Sequence, residues 1–553
     1  MVMNKKITLA ILIAFLASSF NAQTSTKFWV KLADKNGTPY SVGTPTAFIT
    51  QKSVNRRLSQ SIAVDQTDLP VTPAYLTQID NITNVQVLYA SKWLNSIAVV
   101  ITSTVSAAIS TATNAINSLS FVVNTNPTNK FKIVFEKEFM PENTSTQAKG
   151  NGIIEYYGNG YDQAQQLNAV CMHGYGYKGQ GMTIAVLDAG FNNANNLPAF
   201  DSLFARGGVL GTRDFVEGGN SVYEDASHGM AVLSCMAACH PSVMVGTSPQ
   251  ADFWLLRTED AASAPPNSET PSEEYNWIRG AEFADSVGAD ILTTSLGYTT
   301  FDKAAFNHTY TALNGKTYPM SIASTMAVRK GMFVLNAAGN DGAGTWQFIG
   351  VPADADSICT VGAVDVSGNY AGFSSKGPTA DGRKKPDLVA RGAAAWVAKN
   401  TGGYEQGSGT SFATPILAGA IACFWQRHNT FKPYKVLDTL RKTASNNLTP
   451  NNTIGWGIPN MCTLPVGIKE INSNTNIFSV FPNPTTNKIT IRITDKSYAA
   501  QTIELRNVVG ALIKTCNISS DETIVDLSSY ANGIYFIKVN TKAGSSTQKI
   551  VKE

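Results

Sequence analysis

Short apolar runs alternate with longer helical segments through the middle of the chain. These runs are predicted to be buried strands, and they fall at residues 183–187, 253–256, 291–293, 332–335 and 358–364. Strands that alternate with helices predict a parallel sheet wrapped on both faces, a doubly wound α/β domain, which we place at residues 151–465. In such a domain, ligand chemistry is expected at the carboxyl ends of the strands.

A smaller set of strands and helices precedes this domain. Strand-like runs, in which apolar and polar residues alternate or β-forming residues are enriched, occur at residues 28–32, 85–89, 97–101 and 131–135. Residues 106–117 are Ala-rich, which favours a helix. We therefore predict a small α+β module at residues 23–150. It ends in the polar, aperiodic stretch 141–152, where a linker or processing site is expected.

The chain becomes polar and aperiodic again at residues 466–475, which we predict to be a linker. Beyond it, short alternating runs at residues 489–493, 503–505, 534–539 and 550–551 are broken by Asn, Gly and Ser. This pattern predicts a small β-sandwich at residues 476–553.

The amino terminus has the order of a secretory signal peptide. Lys5 and Lys6 precede an apolar run of eleven residues, and small and polar residues follow it up to Ala22. A membrane anchor, the alternative, needs about 18 or more apolar residues. We therefore assign residues 1–22 to a signal peptide cleaved near Ala22 and expect no transmembrane segment in the mature chain.

The composition and charge of the chain limit the kinds of molecule that it is expected to bind. The chain has 553 residues, 43% of them hydrophobic and 15% charged, which excludes disorder for most of its length and indicates three to four modules. The 43 Lys and Arg residues nearly balance the 40 Asp and Glu residues. Because no basic block adjoins an aromatic platform, we expect no nucleic-acid partner.

The seven cysteines do not form a disulfide scaffold. They contain no Cys-x-x-Cys pair, and their odd number leaves at least one thiol unpaired in any monomer. Cys235, Cys239 and His240 are close enough in sequence to suggest metal ligands. Small cysteines buried on a core helix explain Cys235 and Cys239 better, so we expect no catalytic metal.

Two motifs place reactive side chains at the edges of predicted elements. Residues 184–190, Ile-Ala-Val-Leu-Asp-Ala-Gly, are a buried strand that ends in Asp188; a turn or helix-cap Asp is the alternative. In Ser-His-Gly-Met-Ala at residues 227–231, His228 begins a helix of small and apolar residues. That position suits a general base, while a structural histidine is the alternative.

Two further motifs carry a nucleophile and an amide. Gly-Ser-Gly-Thr-Ser-Phe-Ala-Thr-Pro, at residues 407–415, puts Ser411 at a helix amino terminus, where N–H groups favour an oxyanion. A Ser that only caps the helix is the alternative, although capping does not require so long a pattern. Asn340, in Ala-Ala-Gly-Asn-Asp-Gly, could donate to the oxyanion, or it could form an ordinary Asn-Gly turn.

In the order Asp188, His228, Asn340 and Ser411, these motifs resemble those of the subtilisin-like serine proteases, the subtilases. The order Asp, His, Ser is that of subtilisin and differs from those of chymotrypsin and the α/β-hydrolases. The resemblance covers about residues 155–460 and includes further motifs at residues 295–297, 373–378, 385–388 and 455–460.

The resemblance implies a role for each of these residues. Asp188 would orient the base, His228 would take the proton, and Ser411 would attack the peptide carbonyl. Asn340 and the Ser411 N–H would hold the oxyanion. The implied function is a secreted serine endopeptidase that works through an acyl-enzyme intermediate and is made as an inactive precursor.

The resemblance also implies a substrate cleft. Ser295, Leu296 and Gly297 look like the family's substrate-binding strand, and Ala338 and Gly339 would face them. Because these side chains are small, we expect an apolar residue on the amino side of the cleaved bond. The partner is then a protein or peptide substrate. No cofactor is expected to be required, and the ligand loops of the family's structural calcium cannot be read from this sequence.

Two positions depart from the usual subtilase pattern. Ala189 stands where Thr or Ser is usual, and Met230 stands where Thr or His is usual. Neither change removes a catalytic atom.

A catalytically lapsed subtilase fold that serves in binding or adhesion is the alternative function, but it predicts decay at one of the catalytic positions, all of which are intact. A lipase or esterase would have Gly-x-Ser-x-Gly and the order Ser, Asp, His.

The two flanking modules fit the same resemblance. Residues 23–150 look like a subtilase propeptide, an intramolecular inhibitor, with residues 131–140 as the strand that enters the cleft; a permanent accessory domain is the alternative. The carboxy-terminal module, with Phe-Pro-Asn-Pro at residues 481–484 and a basic final strand, resembles sorting domains of type nine secretion in Bacteroidetes. A generic β-sandwich binding module is the alternative. Sorting implies export to the periplasm and then secretion or attachment to the cell surface.

Overall fold

The computed structural model describes residues 24–103, 105–127, 152–261, 271–301, 304–463, 478–494, 500–508, 510–518, 520–541 and 544–553. The chain divides into two compact units, residues 1–465 and residues 466–553. The predicted signal peptide, the predicted strand at 131–135, nearly all of the processing segment and the 466–475 linker lie outside the described residues. The predicted domain boundaries therefore stay predictions.

The first part of unit one is an α+β module. Its elements are β1 (Thr24–Leu32), α1 (Gln51–Ser59), α2 (Pro73–Asp80), β2 (Val85–Ser91), β3 (Ser96–Ser103), α3 (Ser106–Asn117) and β4 (Val122–Pro127). The strands form an antiparallel sheet in the order β2-β3-β1-β4. Phe28, Val30 and Leu32 point into the module's own core, and Trp29 points to the opposite face. This alternation matches the predicted strand.

The rest of unit one is built on a seven-stranded parallel sheet, in the order β13-β12-β11-β10-β5-β9-β6. Its strands are β5 (Thr183–Asp188), β6 (Val209–Asp214), β9 (Asp252–Arg257), β10 (Ile291–Thr294), β11 (Phe333–Ala337), β12 (Cys359–Val364) and β13 (Leu388–Arg391). Two small antiparallel pairs are β7 (Cys239–His240) with β8 (Met244–Val245), and β14 (Ala395–Ala398) with β15 (Tyr404–Gly407). The doubly wound α/β prediction is confirmed.

Helices cover both faces of the parallel sheet. They are α4 (Gly152–Tyr157), α5 (Tyr161–Gln166), α6 (Ala169–Gly174), α7 (Asp201–Ala205), α8 (His228–Ala237), α9 (Pro271–Val287), α10 (Pro319–Arg329), α11 (Thr410–Arg427) and α12 (Pro433–Thr443). In β5, Ile184 and Val186 belong to the core formed with α8 and α11, whereas Ala185 and Leu187 belong to the core formed with α9 and α10. The two faces of the sheet therefore have separate cores.

A disulfide joins Cys171 to Cys462, 291 residues apart in the chain. It ties α6 to the segment that follows α12. The other five cysteines are free, and Cys235 is buried in α8 as predicted. Cys239 is not on a core helix: α8 ends at Ala237, the chain turns into the β7-β8 hairpin, and Cys239 lies half-buried in β7.

Unit two is a β-sandwich, as predicted. One sheet has the order β16-β17-β20 and the other β19-β18-β21-β22, with strands β16 (Phe478–Phe481), β17 (Lys488–Ile493), β18 (Ala500–Asn507), β19 (Leu512–Asn517), β20 (Glu522–Asp526), β21 (Gly533–Thr541) and β22 (Gly544–Lys552). Ile491 and Val525 of the first sheet share one core with Ile503 and Ile537 of the second.

The two ends of unit two meet. The Asn483 side-chain amide donates to Lys549 O at 2.8 Å, and its carbonyl oxygen accepts from Val551 N at 2.8 Å. The N–H of Thr485 donates to Val551 O at 2.9 Å. The Phe-Pro-Asn-Pro segment and the final strand, which the sequence marked separately, thus form one hydrogen-bonded surface. In the described part of the chain, no helix has both the length and the hydropathy that a bilayer crossing requires.

Candidate active site

Asp188 is the last residue of β5, at the carboxyl edge of the sheet. Its side chain is fully buried. One carboxylate oxygen, Oδ1, accepts from His228 Nδ1 at 2.7 Å and from the N–H of Ala189 at 2.8 Å. A buried carboxylate bonded to Nδ1 fixes the imidazole ring and leaves Nε2 directed elsewhere. The structure thus brings Asp188 and His228 together.

His228 is the first residue of α8, as predicted. Gly229 allows the close approach of this helix to β5, because a Cβ atom at Gly229 would lie 2.5 Å from Gly190 O and 2.8 Å from Asp188 Cβ. The His228 ring lies beside Phe412, with 6.0 Å between the ring centroids. Since Phe412 follows Ser411 in the chain, His228 lies next to the start of α11.

Ser411 is the second residue of α11, also as predicted. It is nearly buried, with 7% of its surface exposed. Its hydroxyl donates to Ser295 O at 3.3 Å, and the Ser295 hydroxyl donates to Ser411 O at 2.8 Å. This reciprocal pair joins the amino terminus of α11 to the segment that follows β10.

Asn340 follows β11 and is exposed. Its side-chain oxygen accepts from the Thr410 N–H at 3.0 Å and from the Thr410 hydroxyl at 2.9 Å, which fixes the orientation of the amide. The position that a Cβ atom would take on Gly409 lies 3.6 Å from Asn340 Nδ2 and 3.6 Å from the Ser411 backbone nitrogen. Two N–H donors therefore border one small space beside Ser411.

The predicted substrate-binding residues line this same edge. Ser295, Leu296 and Gly297 leave β10, and Leu296 O accepts from the Asn336 side chain at 3.2 Å. Ala338 and Gly339 leave the adjacent strand, β11; Ala338 donates to Val361 O at 2.9 Å. Each predicted site residue thus lies at the carboxyl edge of neighbouring strands or at the start of α8 or α11.

Sequence reasoning missed the residues that hold this site in place. Thr410 orients the Asn340 amide and also accepts from the N–H of Gly339 at 3.3 Å. Asn336 is fully buried in β11 and fixes the segment after β10. A polar residue inside an apolar strand was the available signal for Asn336, because a buried amide needs partners.

Cys235 and His240, which suggested a metal site, have hydrogen-bond partners within the protein. Cys235 donates to Ala231 O at 3.6 Å, and burial raises the pKa of its thiol far above the ordinary value. His240 Nδ1 lies 2.9 Å from the Tyr404 hydroxyl. Over the described ranges, no group of three or more His, Cys, Asp or Glu side chains is placed to hold a metal ion.

A buried Asp bonded to a His, a Ser at a helix amino terminus and N–H donors beside that Ser are the parts of a serine hydrolase. The profile of the Subtilase family matches residues 179–457, about half of the chain. The chain belongs to the subtilase family. Residues 27–143 match the Peptidase S8 propeptide domain of Bacteroidota, and residues 479–553 match the secretion system C-terminal sorting domain.

Similar proteins include several subtilisins. The chain is 31% identical over 284 residues to the subtilisin of Bacillus pumilus, which covers 51% of this chain and 90% of that protein. It is 32% identical to subtilisin amylosacchariticus of Bacillus subtilis subsp. amylosacchariticus, over 51% of this chain and 65% of that protein. The match thus spans nearly all of the Bacillus pumilus protein and slightly less than two thirds of subtilisin amylosacchariticus. Among solved structures, the prenylagaramide maturation protease PagA aligns with TM-score 0.41 and 24% identity, over 53% of this chain and 95% of that one.

Proposed function

We propose that this protein is a secreted serine endopeptidase that cleaves peptide bonds with Asp188, His228 and Ser411 and is made as an inactive precursor. The 2.7 Å bond between Asp188 Oδ1 and His228 Nδ1, next to Ser411 at the start of α11, carries this proposal. Membership in the subtilase family supports it. The intact set of side chains argues against a lapsed enzyme.

The first half of the reaction forms an acyl-enzyme. In this mechanism the Ser411 hydroxyl leaves Ser295 O and turns toward His228. Ser411 Oγ attacks the carbonyl carbon of the substrate while His228 Nε2 takes the hydroxyl proton. Asp188 keeps its negative charge, holds the tautomer of His228 and stabilises the imidazolium. The protonated His228 then gives its proton to the leaving amine as the C–N bond breaks.

The second half releases the acyl group. Water gives a proton to His228 and attacks the acyl carbon, and the ester bond to Ser411 Oγ breaks as that proton returns to Ser411. In both halves the carbonyl oxygen carries a negative charge in the tetrahedral state. The Asn340 amide and the Ser411 N–H, which border the same space, donate to that oxygen. The helix dipole of α11 favours the same charge.

The substrate cleft favours a sizeable apolar residue before the cleaved bond. The segments 295–297 and 337–340 have mostly small side chains and carry no charge that could pair with Lys or Arg, so we expect a sizeable apolar residue to be accepted between them. A profile of cleavage sites in a peptide library tests this preference. Dominance of Lys or Arg at that position would contradict it.

The N-terminal module acts as the intramolecular inhibitor. It is joined to the peptidase body through a buried ion-pair network: Arg57 binds Asp68 in its own module at 2.9 Å and Asp285 of α9 at 2.7 Å. Arg56 also pairs with Asp285, and Lys330 reaches back to Asp68 at 3.0 Å. Burial acts to raise the pKa of Asp285, but the charges of Lys92, Arg56 and Arg57 outweigh it and hold that pKa below its usual value.

A second set of contacts fixes the β2-β3 turn of the module. Glu282 of α9 accepts from the N–H groups of Lys92 and Trp93 at 3.0 Å each. Trp29 stacks on Tyr275, with 3.9 Å between the ring centroids. These contacts thus fix the module in one position on α9 and α10.

The carboxy-terminal module serves in sorting, and its partner is the type nine secretion machinery. The family match over residues 479–553 supports this role. The signal-like amino terminus supports export to the periplasm, and sorting then leads to secretion or to the cell surface. Fusion of residues 476–553 to a periplasmic reporter protein in a host with this secretion system tests the role; retention of the reporter in the periplasm would contradict it.

An intact-mass time course on residues 23–553 tests the enzyme itself. The wild-type chain should be cut between about residues 138 and 152, whereas the Ser411→Ala chain, the matched control, should stay intact. Cleavage of both chains would mean that another protease is present. If both chains stay intact, and the wild-type chain still shows no peptidase activity and no fluorophosphonate labelling after limited trypsin has removed the N-terminal module, the proposed function is wrong.

A further inference from the structure

Arg257 ends β9 and is fully buried, although none of the proposed chemical steps uses it. The strand pairing places it directly beside Asp188, and the N–H of the next residue, Thr258, donates to Asp188 O at 2.9 Å. The backbone around Arg257 therefore fixes the end of the strand that presents Asp188. A buried guanidinium at this point needs carboxylate partners.

Those partners come from the loop that leads to His228. One nitrogen of Arg257, Nη1, lies 2.9 Å from Asp214 Oδ2 and 3.1 Å from Asp225 Oδ2. Asp214 is the last residue of β6, and Asp225 precedes His228 by three positions. A single guanidinium group thus joins both ends of the loop 215–227, and this loop ends at the proposed base.

Further hydrogen bonds hold the loop between these two points. The other oxygen of Asp214 accepts from Val216 N at 2.7 Å, and Phe215 N donates to Arg257 O at 2.8 Å. At the far end, Asn192 donates to Ala226 O at 3.1 Å. Ala226 lies close against Gly190: a Cβ atom on Gly190 would be only 2.8 Å from Ala226 N. The loop is therefore packed against the residues that directly follow Asp188.

We propose that Arg257, through its ion pair with Asp225, is a positioning residue that fixes the place of His228 relative to Asp188. Arg257 touches neither substrate nor the reacting atoms. The backbone at Arg257 and Thr258 holds the end of β5, where Asp188 lies. The Arg257 side chain holds the loop that precedes His228. Loosening of the pair lets the imidazole drift, and drift of a general base by about 1 Å can lower the rate by up to about 10²-fold. This inference rests on the proposed peptidase function.

Two of the three carboxylates near Arg257 Nη1 allow a matched test. Asp225 is 22% exposed and lies 3.1 Å away, whereas Glu217 is 73% exposed and lies 3.9 Å away. Asp225→Asn and Glu217→Gln each remove one negative charge from the same loop without a change of shape. The kcat and KM of each variant are measured on one peptide substrate after processing. Active sites are counted with a fluorophosphonate, so that misfolded molecules do not contribute.

Asp225→Asn should lower kcat between about 10- and 100-fold with KM within twofold of wild type. Glu217→Gln should leave both constants unchanged. Asp225→Glu, which restores the charge on a longer side chain, should recover part of kcat. Equal kcat in Asp225→Asn and wild type, or an equal loss in Glu217→Gln, would overturn the inference. Absence of activity in the wild type would instead count against the proposed function, so the two failures are distinguishable.

Discussion

The two faces of the seven-stranded sheet are covered in different ways. On one face, α8 and α11 pack almost entirely through apolar and small side chains, and His228 and Ser411 lie at their amino-terminal ends. On the other face, α9 brings carboxylates such as Glu282 and Asp285 against the N-terminal module, and Lys330, which follows α10, pairs with Asp68. The first face holds a permanent core, and the second holds a module that we propose to be removable.

The difference has an energetic reason. Burial of apolar surface contributes roughly 25 cal/mol per Å² and would leave an exposed patch if its partner departed. Charges such as Asp285 become hydrated when their partners leave, so the peptidase body can persist alone in water. A buried ion pair adds little net stability over an apolar contact, but loss of one member costs about 3–5 kcal/mol. The charged contacts thus favour one specific docking position, and Trp29, Trp93 and Ala98 add an apolar part to the same interface.

Replacement of Ser411 by Ala should have the largest effect on the catalytic face. Hydrolysis should fall on the order of 10⁶-fold, and His228→Ala should give nearly the same loss because the two side chains act as a unit. Peptidase assays on purified wild-type and variant proteins, each freed of the N-terminal module by limited trypsin, measure this loss. The position of the N-terminal module should not change, as judged by hydrogen exchange of α1. Substantial turnover by the Ser411→Ala protein would remove the central proposal.

Asp188→Asn should cost less, about 10⁴-fold in kcat, because Asp188 orients His228 and does not transfer the proton. The amide can still donate to or accept from Nδ1, so it favours the wrong tautomer and leaves the geometry intact. Steady-state kinetics give the loss, and a thermal melt checks the fold. A kcat within tenfold of wild type would mean that Asp188 has no such role.

Arg57→Ala tests the charged face. In the Ser411→Ala background, which prevents cleavage, the change should weaken docking of the N-terminal module by about 3–5 kcal/mol, since Asp68 and Asp285 lose their shared partner. Hydrogen exchange of the module measures the loss.

The matched control is Arg492→Ala, which removes an exposed pair with Glu522 in the carboxy-terminal unit and should cost about 1 kcal/mol or less. Equal effects of the two changes on the N-terminal module would show that its buried ion pairs do not hold it. In an otherwise wild-type chain, peptidase activity after processing should be the same with and without Arg57→Ala.

Asn340→Ala should give the smallest of these effects, a fall of about 10²- to 10³-fold in kcat with little change in KM, because one of two donors to the oxyanion is lost. Asn447→Ala is the control: this exposed Asn also donates from its amide, to Lys442 O, away from the site. An unchanged kcat in Asn340→Ala would assign the oxyanion to other donors.

Much of the fold was predictable because the central strands carry strong local signals. The apolar runs predicted β5, β9, β10, β11 and β12, and the Ala-rich run predicted the bounds of α3. The strands at the two ends of the sheet, β6 and β13, were missed. β6 is half-exposed and contains Gly211 and Arg213, so it has no apolar run. In β13 the apolar run is only residues 388–390, between the charged residues Asp387 and Arg391.

The proposed catalytic side chains could be predicted from the sequence, but the residues that hold them in position could not. Asp188, His228 and Ser411 lie in motifs whose local pattern already indicates a strand end or a helix start. Arg257 gives no such signal, because its partners Asp214 and Asp225 are distant in sequence and the pairing depends on the order of strands in the sheet. The same holds for Arg57, whose partner Asp285 is 228 residues away.

Labelling with a serine-directed fluorophosphonate, followed by peptide mapping by mass spectrometry, tests the central claim most directly. In the processed wild-type protein, the probe should attach to Ser411 and to no other serine, and His228→Ala should abolish labelling because the hydroxyl then lacks its base. Attachment at a different serine, or no attachment after the N-terminal module has been removed with limited trypsin, would contradict the assignment of Ser411 as the nucleophile.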